Sequence, residues 1–139
     1  MKHRMIQMAL LVATAAAGSL ASAQSVPDLR VNIPFEFHAA GQSLPAGVYF
    51  VTIDGNYRQV DMHSINGHKI FLTAKPGDDA VRDRSSLVFH RYGDTYFLHE
   101  IRSVRRPFAG RVPVSKEEKS FNNVAGLLPV VEVVSAGSR

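Results

Sequence analysis

The chain has 139 residues and no cysteine, and its 16 lysines and arginines against 12 aspartates and glutamates give a formal net charge of +4. A chain of this length can bury one modest hydrophobic core, which predicts a single domain. The lack of cysteine excludes disulfide bonds, thiolate metal sites and lipid attachment through cysteine.

The first 23 residues have the three parts of a secretory signal peptide. Lys2 and Arg4 form a positive start, residues 8–20 are uncharged and dominated by alanine, leucine and valine, and residues 21–23 match an A-x-A cleavage site. Because the apolar run is too short to span a bilayer comfortably, we predict cleavage rather than a retained membrane helix. Cleavage would lower the formal net charge from +4 to +2, so global charge does not indicate a nucleic-acid partner.

From Val31 onward the sequence is typical of β-strands separated by turns. In VNIPFEF apolar and polar residues alternate, and Pro34, which cannot donate a ladder hydrogen bond, favours an edge position or a bulge. Asn66-Gly67 predicts a type I′ hairpin turn, in which both central residues need positive φ. The seven predicted strands cover residues 31–37, 48–53, 59–65, 68–74, 86–92, 95–102 and 129–135.

The strongest local signal is a hairpin around Gly93-Asp94, where glycine in the first central position suits a type II′ turn. The favoured register pairs Arg91 with Tyr96, Phe89 with Leu98, and Leu87 with Glu100. The opposite face then carries Val88, His90, Phe97, His99 and Ile101. A three-residue turn would shift this register and exchange the faces along one strand. In either register both faces carry large side chains, which indicates a hairpin enclosed in a sandwich or forming a barrel wall.

A short helix is predicted near residues 116–121, because Ser115 and Glu118 match a capping box. Residues 75–85 and 103–114 are interpreted as loops. The pattern predicts an all-β fold, a small antiparallel β-sandwich or barrel of about seven to eight strands with one short helix. No repeat or second domain is visible, so residues 24–139 are predicted to be a single exported domain, periplasmic or extracellular.

Four motifs cover most of this domain: VNIPFEF at residues 31–37, LPAGVY at 44–49, LVFHRYGDTYFL at 87–98 and GR-x-P-x-S-K-E-E-K at 110–119. Together they resemble a family of small exported bacterial proteins. The resemblance implies an exported β-domain and brings no activity, cofactor or site residue with it.

No catalytic motif occurs in the chain. His99-Glu100 matches the start of H-E-x-x-H, but Ser103 stands where the second histidine is required, and the segment is a predicted strand. G-x-S-x-G, P-loop and G-x-G-x-x-G patterns do not occur either. We therefore predict a protein that is not an enzyme, with no catalytic residue and no cofactor. If hydrolase activity were found, the region of His90, His99 and Glu100 would be the place to examine.

Two groups of residues are candidate metal ligands. His90 and His99 lie diagonally on one face of the predicted hairpin, but a zinc site needs three or four ligands, so we interpret them as packed histidines. Asp78, Asp79 and Asp83 do not have the spacing of a calcium-binding loop, so we interpret them as part of a solvated loop. No metal site is predicted.

Positive charge is concentrated at four arginines: Arg102, Arg105, Arg106 and Arg111. A basic segment of this kind is a candidate surface for an acidic partner or for the phosphate groups of an anionic envelope surface. The main hypothesis is therefore an exported, non-enzymatic domain that binds a protein or cell-envelope component through this segment or through sheet edges. The alternative is a lipocalin-like carrier of a small apolar ligand. Its cavity would be lined by Phe35, Phe37, Phe50, Phe71, Phe89, Tyr96 and Phe97.

Overall fold

The computed structural model describes residues 26–56, 58–77, 83–105, 108–125 and 128–137. The predicted signal peptide lies outside these residues, as do Asp78, Asp79 and Arg106. The elements in chain order are β1 Leu29–Ile33, β2 Phe37–Ala39, β3 Gln42–Leu44, β4 Gly47–Ile53, β5 Gln59–Ser64, β6 Lys69–Thr73, β7 Lys75–Pro76, β8 Ser86–Tyr92, β9 Thr95–Ser103, β10 Phe108–Arg111, α1 Lys116–Ala125 and β11 Val130–Ser135.

The strands form two sheets that curl around one core. The first has the order β1-β4-β5-β6, and the second has the order β11-β8-β9-β10-β7, with β2 and β3 attached to it through β9. The chain changes sheets at Ala74, between β6 and β7. The two sheets are also linked between β1 and the segment after β11, where the Gly137 N–H donates to the Arg30 carbonyl at 3.1 Å. The all-β sandwich or barrel with one short helix is therefore confirmed. The described residues form four more strands than the seven predicted, namely the short β2, β3, β7 and β10.

Two segments have a different secondary structure from the one predicted. The predicted strand 31–37 ends at Ile33, and after Pro34 the chain enters the second sheet as β2 from Phe37. A proline lacks the N–H that would continue the ladder, which explains the break. The interpretation of residues 103–114 as a loop is wrong, because β10 lies within it and pairs with both β9 and β7.

The hairpin between β5 and β6 forms at the predicted dipeptide, but not with a type I′ turn. The Gly67 N–H donates to the Ser64 carbonyl, and Ser64 pairs with His68, so the loop has three residues rather than two. Gly67 has a φ of 93°, whereas Asn66 is not among the residues with positive φ. Three-residue loops with glycine in the left-handed position are the next most common hairpin connection, and only the glycine needs the unusual φ.

The central hairpin has the predicted two-residue turn. Gly93 has a φ of 63°, and Asp94 is not among the positive-φ residues, as a type II′ turn requires. The predicted pairs Arg91–Tyr96 and Phe89–Leu98 are confirmed.

Beyond Leu98 the predicted register is wrong, because β9 contains one additional residue, His99. Leu87 consequently pairs with Ile101 rather than Glu100, and Val88 pairs with Glu100. A bulge reverses the alternation of faces. Leu98 and Ile101 therefore both lie in the core, although the uninterrupted pattern placed Ile101 on the opposite face.

The core between the sheets is filled by aromatic and branched side chains. Phe37 contacts Phe89 and Tyr49 edge to face, with ring centroids 5.4 and 5.2 Å apart, and Phe35 stacks on Tyr96 at 3.7 Å. The buried Tyr49 hydroxyl donates to the Pro45 carbonyl at 2.6 Å. The aromatic residues predicted to line a cavity therefore do not share one environment. Several pack against one another, whereas Phe71 is 68% exposed on the outer side.

Helix α1 begins as predicted and extends beyond the predicted end at residue 121. The Glu118 N–H donates to Ser115 Oγ at 3.1 Å, which satisfies one of the free amides of the first turn. The Phe121 ring contacts the rings of Tyr92 and Phe97. These tertiary contacts stabilise a helix that is short for an isolated one.

Candidate functional site

Helix α1 covers the outer face of the β8–β9 hairpin, where the sheet presents polar aromatic side chains. His90 and Tyr92 project from β8, and Phe97 and His99 from β9. The helix contributes Glu118, which is 3% exposed. We refer to His90, Tyr92, His99 and Glu118 as the histidine cluster.

The carboxylate of Glu118 joins the helix to the sheet. Its Oε1 lies 2.8 Å from His90 Nδ1 and accepts a hydrogen bond from the Tyr92 hydroxyl at 3.1 Å. Burial, together with the charge and hydrogen bond of the carboxylate, raises the pKa of Tyr92 to about 12. In the capping box the side chain of Glu118 would turn back to its own helix. Here it turns to the sheet instead.

His99 is the additional residue of the bulge in β9 and lies on the same face as His90, as predicted. Its ring stacks on that of His90, with centroids 3.7 Å apart and planes inclined by 21°. His99 Nδ1 is buried without a hydrogen-bond partner. Burial and the neighbouring His90 lower the pKa of His99, against the opposing effect of Glu118 and Glu100. The cluster therefore favours a neutral His99.

The geometry of the cluster is that of a structural anchor. The same carboxylate oxygen is engaged by two donors, and no group of three or more potential metal ligands occurs in the part of the chain that is described. A cleft beside the helix, bordered by His38, Phe97 and Glu117, has a volume of about 20 Å³. That volume is enough for about one water molecule.

The four predicted arginines have different environments. Arg102 makes two hydrogen bonds to the carboxylate of Glu100, at 2.9 and 3.1 Å, and Arg111 lies opposite Glu100 in the β9–β10 ladder. Arg105 Nη1 lies 3.4 Å from the Pro27 carbonyl. Arg106 lies outside the described residues. Binding at this segment stays a prediction, and the bidentate pair with Glu100 already neutralises one of its charges.

A surface that sequence reasoning did not single out is the free edge of β11. The Ala136 N–H donates to the Ser85 carbonyl, so the backbone groups of Ala136 point toward β8. This direction alternates along an antiparallel strand, so even-numbered residues of β11 point toward β8 and odd-numbered ones point away. The odd-numbered residues are Val131, Val133 and Ser135.

The side chains at this edge are apolar and accessible. Val131 and Val133 lie opposite His90 and Val88, and are 60% and 53% exposed. β11 is a terminal strand of its sheet, and none of the described strands forms a ladder with its outer side, although β1 lies beside its C-terminal end, where the Gly137 N–H donates to the Arg30 carbonyl. Sequence reasoning predicted the strand itself, but a run of valines does not reveal which strand will lie at an edge.

No helix among the described residues is both long and apolar enough to cross a membrane. No family model matches the chain, and comparisons with curated proteins and with solved structures found no match.

Proposed function

We propose that this protein is an exported, non-enzymatic binding domain that accepts an extended protein segment at the free edge of β11. The observation that supports this proposal is that Val131 and Val133 direct their backbone groups toward a side of β11 with which no described strand forms a ladder, and expose apolar side chains there. Strand addition uses these two features, because the backbone hydrogen bonds give affinity and the alternate side chains give specificity.

The edge of β11 lacks charges that would keep another strand away. Its one charged residue, Glu132, lies 3.1 Å from Arg91 of the adjacent β8, so its charge is compensated within the molecule. The first sheet ends in β1 and β6. β6 carries Lys69, with Asp61 3.1 Å away, and lysine on an edge strand discourages pairing with other chains. β11 carries no lysine, so we favour β11 over β6 as the accepting edge.

The other predicted modes of binding have less support. An apolar ligand would need an interior cavity, yet Phe35, Phe37 and Phe89 are in contact with other aromatic rings of the core. Phosphate binding would use free arginines, yet Arg102 is held by Glu100. The outward backbone groups of Val131 and Val133 need no such rearrangement.

Capture from an envelope extract tests the proposal. Val133→Lys places a charge on the edge, and Phe71→Lys is a matched control, because Phe71 is also an exposed apolar residue and stands on β6, a terminal strand of the other sheet. We expect wild type and Phe71→Lys to retain the same protein, and Val133→Lys to lose it. The captured protein should slow amide hydrogen exchange at Val131 and Val133. Equal capture by Val133→Lys would refute the proposal, as would protection confined to the arginine segment.

A further inference from the structure

We propose that helix α1 is a cover that mild acid releases from the β8–β9 hairpin, and that protonation of His99 is the event that releases it. Release would expose the rings of Tyr92 and Phe97, which the helix contacts through Phe121. The uncovered face adjoins Val131, which lies opposite His90 in the ladder. The proposal concerns the attachment of the helix and does not depend on binding at the β11 edge.

The helix is held to the sheet by very little buried surface. Among residues 116–123, Glu118 is buried and the others are exposed. Phe121 contacts Tyr92 and Phe97 but is itself 39% exposed. A surface helix usually docks through a continuous apolar stripe, and an element with few buried apolar contacts opens at a lower free energy than the core. Helix α1 can therefore leave the sheet while the two sheets remain folded.

The face beneath the helix holds two imidazole rings and one carboxylate. Glu118 Oε1 lies 2.8 Å from His90 Nδ1, and the ring of His90 stacks on that of His99 at 3.7 Å. His99 Nδ1 is buried without a hydrogen-bond partner. Both nitrogens of a protonated imidazole carry a hydrogen. Acid would therefore create a buried donor without an acceptor at His99, and a positive charge against the ring of His90.

The charged and titratable groups around His99 come from four elements. His90 faces it from β8, Glu118 from α1, Glu100 from β9 itself and Arg111 from β10. The two carboxylates favour a proton on His99, whereas burial, His90 and Arg111 oppose one, and the balance lowers the pKa of His99. Once the helix leaves, water reaches this face and the pKa returns toward its ordinary value. Because the open state then binds the proton more readily, acid shifts the equilibrium toward release.

A second histidine contact of the helix acts in the opposite direction. His38 Nδ1 lies 3.5 Å from Glu117 Oε2, so a proton on His38 would strengthen this contact. The two side chains are 29% and 55% exposed, and ion pairs in such surroundings contribute little. The buried His99 therefore determines the direction of the response.

Hydrogen exchange in helix α1 at pH 7.5 and pH 5.5, corrected for the intrinsic pH dependence of amide exchange, tests the proposal. We expect the helix to open more often at pH 5.5, by up to about tenfold, because one proton is bound at a group whose ordinary pKa is 6.5. Exchange in the helix should not depend on low concentrations of denaturant, since local opening exposes little surface. A dependence on denaturant as steep as that of the β8–β9 ladder would overturn release of the helix alone.

Two variants identify the histidine that responds. His99→Phe keeps a ring beside His90 and cannot be protonated, so its helix should lose the increase in opening at pH 5.5. His38→Gln is the matched control, because it removes the other histidine contact of the helix, and it should keep the increase. An increase that persists in His99→Phe would overturn the role of His99.

The wild-type protein provides a test that needs no variant. In an NMR titration the ring of His99 should titrate below pH 6.5, and the amide resonances of helix α1 should shift with the same midpoint. Helix resonances that follow the titration of His38 instead, or that do not change between pH 7.5 and pH 5, would overturn the proposal.

Discussion

The β8–β9 hairpin is covered on both faces, but by different means. On its inner face Phe89, Leu98 and Ile101 pack against the first sheet, and all three are buried. On its outer face the histidine cluster is covered by helix α1 through the carboxylate of Glu118. One hairpin is thus held by apolar packing on one side and by a few polar contacts on the other.

This difference has consequences for stability. Apolar burial contributes in proportion to the area removed from water and does not depend on protonation. The polar face depends on the donors and acceptors being matched, since an unsatisfied buried group costs free energy. The inner face should therefore dominate the global stability, and the outer face should control the attachment of helix α1.

The largest expected effect is on the inner face. Phe89→Ala removes a fully buried ring that contacts Phe35 and Phe37, and should lower the free energy of unfolding by about 3–5 kcal/mol. Denaturant unfolding measures the change. Phe71→Ala, on an exposed site, should change stability by less than about 0.5 kcal/mol. Similar losses in the two variants would mean that the inner face does not carry the core.

A smaller and more local effect is expected on the outer face. Glu118→Ala leaves His90 Nδ1 and the Tyr92 hydroxyl without their shared acceptor, and should cost about 1–3 kcal/mol. Hydrogen exchange should accelerate in helix α1 more than in the β8–β9 ladder.

Glu117→Ala is the matched control, because it changes the adjacent residue of the same helical turn. Its carboxylate is half exposed and lies 3.5 Å from His38. If Glu117→Ala released the helix as readily as Glu118→Ala, the anchoring role of Glu118 would be wrong.

The parts of the fold that depend on neighbouring residues were predictable from the sequence. The turn at Gly93 and the pair Phe89–Leu98 follow from a local turn preference and the period of the strand. The bulge at His99 does not follow from local preferences. It depends on Leu98 and Ile101 both fitting the core and on β10 pairing along β9, and both conditions involve distant parts of the chain.

The same distinction applies to the functional surfaces. The capping role of Ser115 was visible in the sequence, but the target of the Glu118 side chain depends on where the helix docks. The exposed edge of β11 depends on strand order, which pairs β8 with one side of it and no described strand with the other. Arg102 stood out as charge, yet its pairing with Glu100, two residues earlier on the same face of β9, was not singled out from the sequence.

The smallest expected effect is a change in stability with pH. It should arise from His99 on the polar outer face and not from the apolar inner face. The pKa of His99 is lowered from its ordinary value of 6.5, chiefly by burial and then by His90. The unfolded chain therefore binds a proton at His99 more readily than the folded protein. The contribution of His99 to stability is complete above about pH 6.5 and declines as the pH falls from there through the lowered pKa of the folded state.

The groups that face His99 set the size of this effect. Glu118 and Glu100 favour its protonated form, whereas His90 and Arg111 oppose it. His99→Phe keeps an aromatic ring beside His90 and removes the titration, so its free energy of unfolding should fall less than that of wild type between pH 7.5 and pH 5. His68→Gln, at an exposed turn, should keep the wild-type dependence. If the pH dependence of His99→Phe matched wild type while His68→Gln lost it, acid sensitivity would arise from the exposed histidines rather than from the face beneath the helix.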